Sequence, residues 1–193
     1  MKYRHLFFDL DHTLWDFEAN AKATLSELYH TLSLKEKGVN DFEQFHKNYL
    51  VHNEKLWERY RNGFIKQDEL RVKRMSLALL DFKIANEPLA REMSTQFLDL
   101  LPARTILFPY AIEILQYLKG KKYELHLITN GFEKTQHSKL KYSSGVKQQP
   151  KAEKRILGAS SHTPSAVPAL GDGSCATRYT SRRLGMTPWF SAI

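Results

Sequence analysis

Two aspartates two residues apart, Asp9 and Asp11, stand directly behind one short apolar run, and Thr129-Asn130-Gly131 stands behind another. A carboxylate such as Asp9 can attack phosphorus to give an acyl phosphate, which splits one difficult hydrolysis into two easier steps. Asp11 can protonate the leaving oxygen and then take a proton from the attacking water, work for which a carboxylate held near the reacting group suffices. Two carboxylates beside a phosphate repel it, so the pair implies a hard divalent cation bound through oxygen, and Mg2+ is the expected ion. The Thr129 hydroxyl and the Asn130 and Gly131 backbone amides are donors suited to a phosphoryl oxygen. Each piece has a plainer reading: Asp-x-Asp at a strand-to-helix junction also caps helices, and Thr-Asn-Gly is a common turn. The chemical reading rests on their joint occurrence.

The elements that must position these residues are legible in the hydrophobic pattern. Tyr3 to Phe8 reads as a buried strand ending in polar residues, and Tyr123 to Ile128 as a second strand of the same kind. Between them lies a helical block. Leu25, Leu28, Tyr29 and Leu32 mark a first helix. Phe42, Phe45, Tyr49, Leu56, Trp57 and Tyr60 mark a second, which Asn62-Gly63 should terminate. A third is expected from about Gln67 to Leu80 with Leu70, Leu77 and Leu80 on one side. A fourth starts at Pro88, carries Leu89, Met93, Phe97, Leu100 and Leu101, and stops at Pro102. A short helix follows Phe108-Pro109, with Ile112, Leu115 and Leu118 aligned and Gly120 at its end, and another runs to about Tyr142. Strand, helical insertion, helix, strand is an α/β layer with a cap inserted after its first strand. In such layers ligands bind beyond the carboxyl ends of the strands, where Asp9 and Thr129 lie.

Composition narrows the class. The 193 residues are 42% hydrophobic and 26% charged, ordinary for a globular chain long enough to bury a core. The single Cys175 excludes a disulfide framework and a multi-Cys zinc site. No apolar run reaches the roughly 18 residues of a membrane span or forms a signal-peptide core, so the expected location is cytoplasmic, with no membrane partner. The net charge of +8 is uneven: residues 143–193 hold 7 basic and 2 acidic side chains, and eight Ser, five Gly and four Pro, which marks a break near Ser143. Arg178, Arg182 and Arg183 are too few, and too poor in interleaved aromatics, to imply nucleic acid.

Phe7-Phe8-Asp9-Leu10-Asp11-His12-Thr13-Leu14 resembles motif I of the haloacid dehalogenase (HAD) superfamily, and Leu127-Ile128-Thr129-Asn130-Gly131-Phe132 resembles its motif II. The stretch Leu56 to Ile65, and Ile128 to Phe132 followed by Gln136 and Leu140, are similar to the YjjG-like branch of pyrimidine 5'-nucleotidases with a helical cap. The resemblance covers about Lys2 to Tyr142. It implies a HAD-like Rossmannoid parallel sheet, built from residues 1–16 and 103–193, with residues 17–102 as the helical cap. It also implies a Mg2+-dependent hydrolase of nucleoside 5'-monophosphates, with Asp9 as nucleophile and Asp11 as acid and base. Asp11 separates this pattern from the dehalogenases, whose halide leaving group needs no proton. The Asp11 backbone carbonyl would join the Asp9 carboxylate on the metal, and Thr129 would bind phosphate. Trp57, Tyr60 and Asn62 are candidates for choosing the base, with cap packing the other reading of Trp57 and Tyr60; His12 is expected only to shape its loop.

The pattern breaks after Tyr142. The family's motif III lysine has candidates by position only, Lys147, Lys151 and Lys154. Gly171-Asp172-Gly173, followed by Leu184-Gly185-Met186, weakly echoes motif IV and makes Asp172 the candidate further metal ligand, although Gly-Asp-Gly is also a common turn. The sheet is therefore expected to be incomplete at its carboxyl end, and the residues from about Ser143 are expected to be atypical or read from a shifted frame. A catalytically impaired or dead HAD-like protein with a binding role is the competing expectation. The feature that separates the two is whether a lysine and a further acid reach Asp9 and Asp11.

Overall fold

The computed structural model describes residues 3–143. In order it contains β1 (His5–Asp9), α1 (Phe17–Thr31), α2 (Phe42–Arg61), α3 (Gln67–Leu80), α4 (Glu87–Leu100), a 3-10 turn (Leu101–Ala103), α5 (Ala111–Gly120), β2 (Glu124–Ile128) and α6 (Glu133–Tyr142). β1 and β2 pair in parallel, His5 opposite Glu124 through to Asp9 opposite Ile128. A parallel pair needs a long connection, and here the four-helix cap insertion supplies it. The register sets the end of β1 beside the start of the Thr129 loop.

Helix boundaries follow from local chemistry. Asp16, Asp41 and Asn86 each accept, through a side-chain oxygen, the amide of the residue three further on, capping α1, α2 and α4. Such a cap contributes about 1 kcal/mol. Gly63, at φ +75°, ends α2 where a side chain would strain the backbone.

One continuous core joins the insertion to the sheet. It contains Leu25 and Leu28 of α1, Phe45 and Tyr49 of α2, Met75 and Leu79 of α3, Met93 and Phe97 of α4, Leu115 of α5 and Leu125 of β2, together with Leu10, Leu14 and Trp15 from the loop after β1. That loop is pinned from outside. Asn20 is fully buried; its amide donates to the carbonyls of Asp16 and Ile106, and its carbonyl accepts the Ile106 amide. The Phe108 amide donates to the Leu14 carbonyl.

Two expectations are corrected. β1 is not buried on both faces: Leu6 and Phe8 pack against the core, while His5 is exposed and Phe7 is 62% exposed. The cause is that, among the described residues, the core packs on the Leu6 and Phe8 face alone. On α3 the buried face is Leu70, Arg74, Met75, Ala78 and Leu79, whereas Leu80 is exposed. The leucines misled because an arginine occupies a position in the apolar stripe.

Arg74 is 2% exposed, donates to Asn53 Oδ1 at 3.1 Å, and lies 4.9 Å from the Phe97 ring centroid. Its Nε and Nη2 have no hydrogen-bond partner, and no carboxylate pairs with it among the described residues. Burying an uncompensated cation costs more than a cation–π contact and one neutral acceptor return. Arg74→Met should therefore stabilise the chain by about 1–3 kcal/mol in urea unfolding, and a lowered midpoint would show that the ring and Asn53 contacts outweigh desolvation.

Candidate active site

The strand register brings Asp9 and Thr129 to adjacent strand ends. One oxygen of Asp9, Oδ1, accepts the Leu10 amide at 2.8 Å. The residue is open to solvent, yet its carboxyl is pushed up from the ordinary 3.8 to about 6. Desolvation by the surrounding protein is the main cause and the nearby Asp11 charge adds to it, while the Leu10 amide and, more weakly, Lys139 act in the other direction. A proton is therefore held more tightly in the folded state than in the unfolded chain between pH 4 and 6. In the absence of divalent metal this group should make the fold more stable as pH falls through about 6 toward 4. Urea unfolding across that range should show the wild-type chain gaining on Asp9→Asn as the pH drops; parallel curves would contradict it.

Asp11 is held from α6. Gln136 Nε2 donates to Asp11 Oδ2 at 2.6 Å and Lys139 Nζ donates to Asp11 Oδ1 at 2.5 Å. Gln136 and Lys139 are three apart, so one helix face presents both. Lys139 is 3% exposed, and its ammonium lies 4.1 Å from the Trp15 ring centroid. Burial pushes the Lys139 ammonium below its ordinary range, and the Asp11 charge and hydrogen bond oppose that shift.

The same Gln136 nitrogen donates to Thr129 Oγ1 at 2.6 Å, and the Gly131 amide donates to that hydroxyl at 3.2 Å. A hydroxyl has two acceptor sites and one proton. With both acceptor sites used, Thr129 is left with its O–H as a donor. Gly131 makes this packing possible, because a Cβ there would stand 2.0 Å from Gln136 Nε2. Asn130 is exposed, and the Gly131 amide turns inward to Thr129.

The cap reaches this loop through aromatic rings. Trp57 of α2 stacks on Phe132 with centroids 4.9 Å apart, Tyr60 meets Phe132 edge-on at 5.8 Å, and the Arg71 guanidinium lies 4.8 Å from the Phe132 centroid. Trp57 and Tyr60 thus border the Thr129 loop as well as packing on buried Leu56, Ile65 and Leu70. Asn62 is the exposed C-cap of α2, its amide bonded to the Glu58 and Tyr60 carbonyls. His12, at φ 59°, donates its amide to the Trp15 carbonyl within the loop after Asp11.

Lys147, Lys151, Lys154 and Asp172 lie outside the described residues, as do Cys175 and the Arg178, Arg182 and Arg183 group. Gln136, Lys139, Phe132 and Arg71 were not singled out as site residues from sequence.

The family model for haloacid dehalogenase-like hydrolases matches residues 3–160. The chain belongs to this family. The match continues beyond Tyr142, where the motif resemblance fades. The chain is 32% identical over 146 residues to the pyrimidine 5'-nucleotidase PynA of Streptococcus pneumoniae, covering 76% of this chain and 59% of that protein. It is 27% identical over 143 residues to the HAD-hydrolase YfnB of Bacillus subtilis, covering 74% and 57%. The chain thus spans a little under three-fifths of the length of these curated relatives. Among solved structures, YfnB bound to magnesium is similar at a TM-score of 0.66 and 24% identity, over 79% of this chain and 63% of that one. The L-2-haloacid dehalogenase of Xanthobacter autotrophicus follows the same fold at 0.55 and 16%, over 81% and 56%. The fold is that of a HAD hydrolase with a helical cap.

Proposed function

We propose that this HAD-family chain hydrolyses phosphomonoesters, with nucleoside 5'-monophosphates as the substrate class, through an aspartyl phosphate on Asp9. The observation that carries the reading is the convergence of Asp9, a donor-only Thr129 hydroxyl, and an Asp11 gripped by a buried lysine. Lys139 brings a lysine to the site from within the described residues, one of the two features that separate an enzyme from a catalytically dead relative; the candidate further acid, Asp172, lies outside them.

The free oxygen of Asp9 attacks phosphorus, and the bond from phosphorus to the nucleoside oxygen breaks as Asp11 gives that oxygen its proton. Water then attacks the phosphorus of the acyl phosphate, Asp11 takes its proton, and phosphate leaves with the Asp9 carboxylate restored. A carboxylate has about four acceptor sites, so Asp11 can take a proton while still held by Gln136 and Lys139. Thr129 O–H steadies a phosphoryl oxygen. The Trp57, Tyr60 and Phe132 rings pack on one another into a half-buried aromatic cluster beside that loop, apolar surroundings that suit a nucleobase. This accords with the pyrimidine 5'-nucleotidase among the relatives.

The donor set fits Mg2+. Asp9 and Asp11 are hard oxygen ligands, and the rise in the Asp9 pKa from burial and from Asp11 is what a cation there would offset. The Asp9 carboxylate and the Asp11 main-chain carbonyl would hold the ion, with Asp172 as the candidate further ligand. Once bound, it supplies positive charge to the phosphoryl oxygens. Cytoplasmic residence and a small-molecule partner, rather than membrane or nucleic acid, complete the proposal; among the described residues no helix is long and apolar enough to cross a membrane.

The test is phosphate release from a panel of nucleoside monophosphates in Mg2+. Turnover with pyrimidine nucleotides preferred over purine ones is the expected result. Release from none of them by a folded chain would count against the proposal.

A further inference from the structure

The face of the sheet that the described residues leave open holds a group of side chains that the hydrolytic site does not use. His5, Glu124 and His126 project from adjacent strands, and their ligand atoms all lie within 4.8 Å of one another. His5 Nδ1 is 3.0 Å from His126 Nε2 and 3.4 Å from Glu124 Oε2. The other Glu124 oxygen, Oε1, pairs with Arg4 Nε at 2.9 Å, and Phe7 stacks on the His126 ring at 4.7 Å. The carboxylate and one imidazole are therefore already oriented by neighbours.

The geometry points to a second metal site, for Zn2+ or another borderline divalent transition ion, formed by His5 Nδ1, His126 Nε2 and Glu124 Oε2. Zinc bonds of about 2.0–2.1 Å in a tetrahedron place ligand atoms about 3.3 Å apart; the 3.0 and 3.4 Å separations from His5 Nδ1 bracket that value, and His126 Nε2 and Glu124 Oε2 lie within 4.8 Å of each other. Two imidazoles and one carboxylate select zinc, nickel or copper over magnesium, which takes oxygen ligands. Without metal, the 3.0 Å contact is a hydrogen bond from one ring to the other. On binding, both nitrogens present lone pairs, and the shared proton moves to the far nitrogen of its ring. This site is distinct from the Asp9 centre: His5 is four residues before Asp9 on an extended strand, about 13 Å away. An ion there would clip β1 to β2 at their amino ends.

The test is titration of the full chain with Co2+, read by visible absorption, and with Zn2+, read by equilibrium dialysis. Both are run in excess Mg2+ so that the Asp9 and Asp11 oxygens are occupied. The expected result is one high-affinity ion per chain with tetrahedral Co2+ bands. Those bands should be absent from His5→Ala/His126→Ala and weakened at least about tenfold in affinity in Glu124→Gln. Among the described residues His5 and Glu124 are exposed and His126 is half-buried, so the variants should keep the wild-type circular dichroism; should the double variant unfold, Glu124→Gln alone decides. No binding by the wild-type chain, or the same bands and affinity in the variants, overturns the assignment.

Discussion

Asp9→Asn should abolish phosphate release from nucleoside monophosphates, by on the order of 10^4-fold or more, while leaving the chain folded. The loss is large because no other described side chain takes the place of the carboxylate at the end of β1. The amide cannot form the acyl phosphate, and Oδ1 is already committed to the Leu10 amide. The fold should survive because the native carboxylate is disfavoured by partial desolvation and by Asp11, so removing its charge relieves a cost. The comparison is made at saturating Mg2+, with a melting curve for each protein. Residual turnover within tenfold of wild type would mean that the nucleophile is elsewhere.

The second large effect concerns the pair from α6. Asp11→Asn removes the carboxylate that compensates a nearly fully buried ammonium, and should destabilise the chain by about 3–5 kcal/mol as well as lowering kcat by about 10^2–10^4-fold. Lys139→Met should cost less stability, because Asp11 is partly open to water and its other oxygen keeps the Gln136 bond. The double variant Asp11→Asn/Lys139→Met should recover most of the lost stability and none of the activity. That split distinguishes a structural ion pair from a group that handles protons. Full recovery of turnover in the double variant would remove Asp11 from the chemistry.

The helical insertion was readable because its apolar residues repeat at helical spacing, and Asn62-Gly63 and Pro102 mark real ends. That Asp9 and Thr129 stand at adjacent strand ends was readable because each follows an apolar strand run, and such ends lie together at the mouth of a parallel sheet. The rest of the site was not. α6 carries Glu133, Lys134, Thr135, Gln136, His137, Ser138 and Lys139 in succession, so a solvated helix and one aiming two donors at Asp11 have the same composition. The available signal was the spacing of Gln136, Lys139 and Leu140 on one face, with Leu140 packing against the core. Arg74 was hidden for a related reason: a cation in the apolar stripe of α3 breaks the periodicity that locates the buried face. Phe132 reads as one more apolar residue until the rings of α2 are set beside it.

The most direct measurement is acid quench of the chain with a pyrimidine nucleoside monophosphate carrying labelled phosphate, in Mg2+, followed by peptide mapping. The expected result is a transient acyl phosphate on the peptide that contains Asp9, sensitive to hydroxylamine and absent from Asp9→Asn. Phosphate release with no label on that peptide, or with the label on another residue, would contradict it.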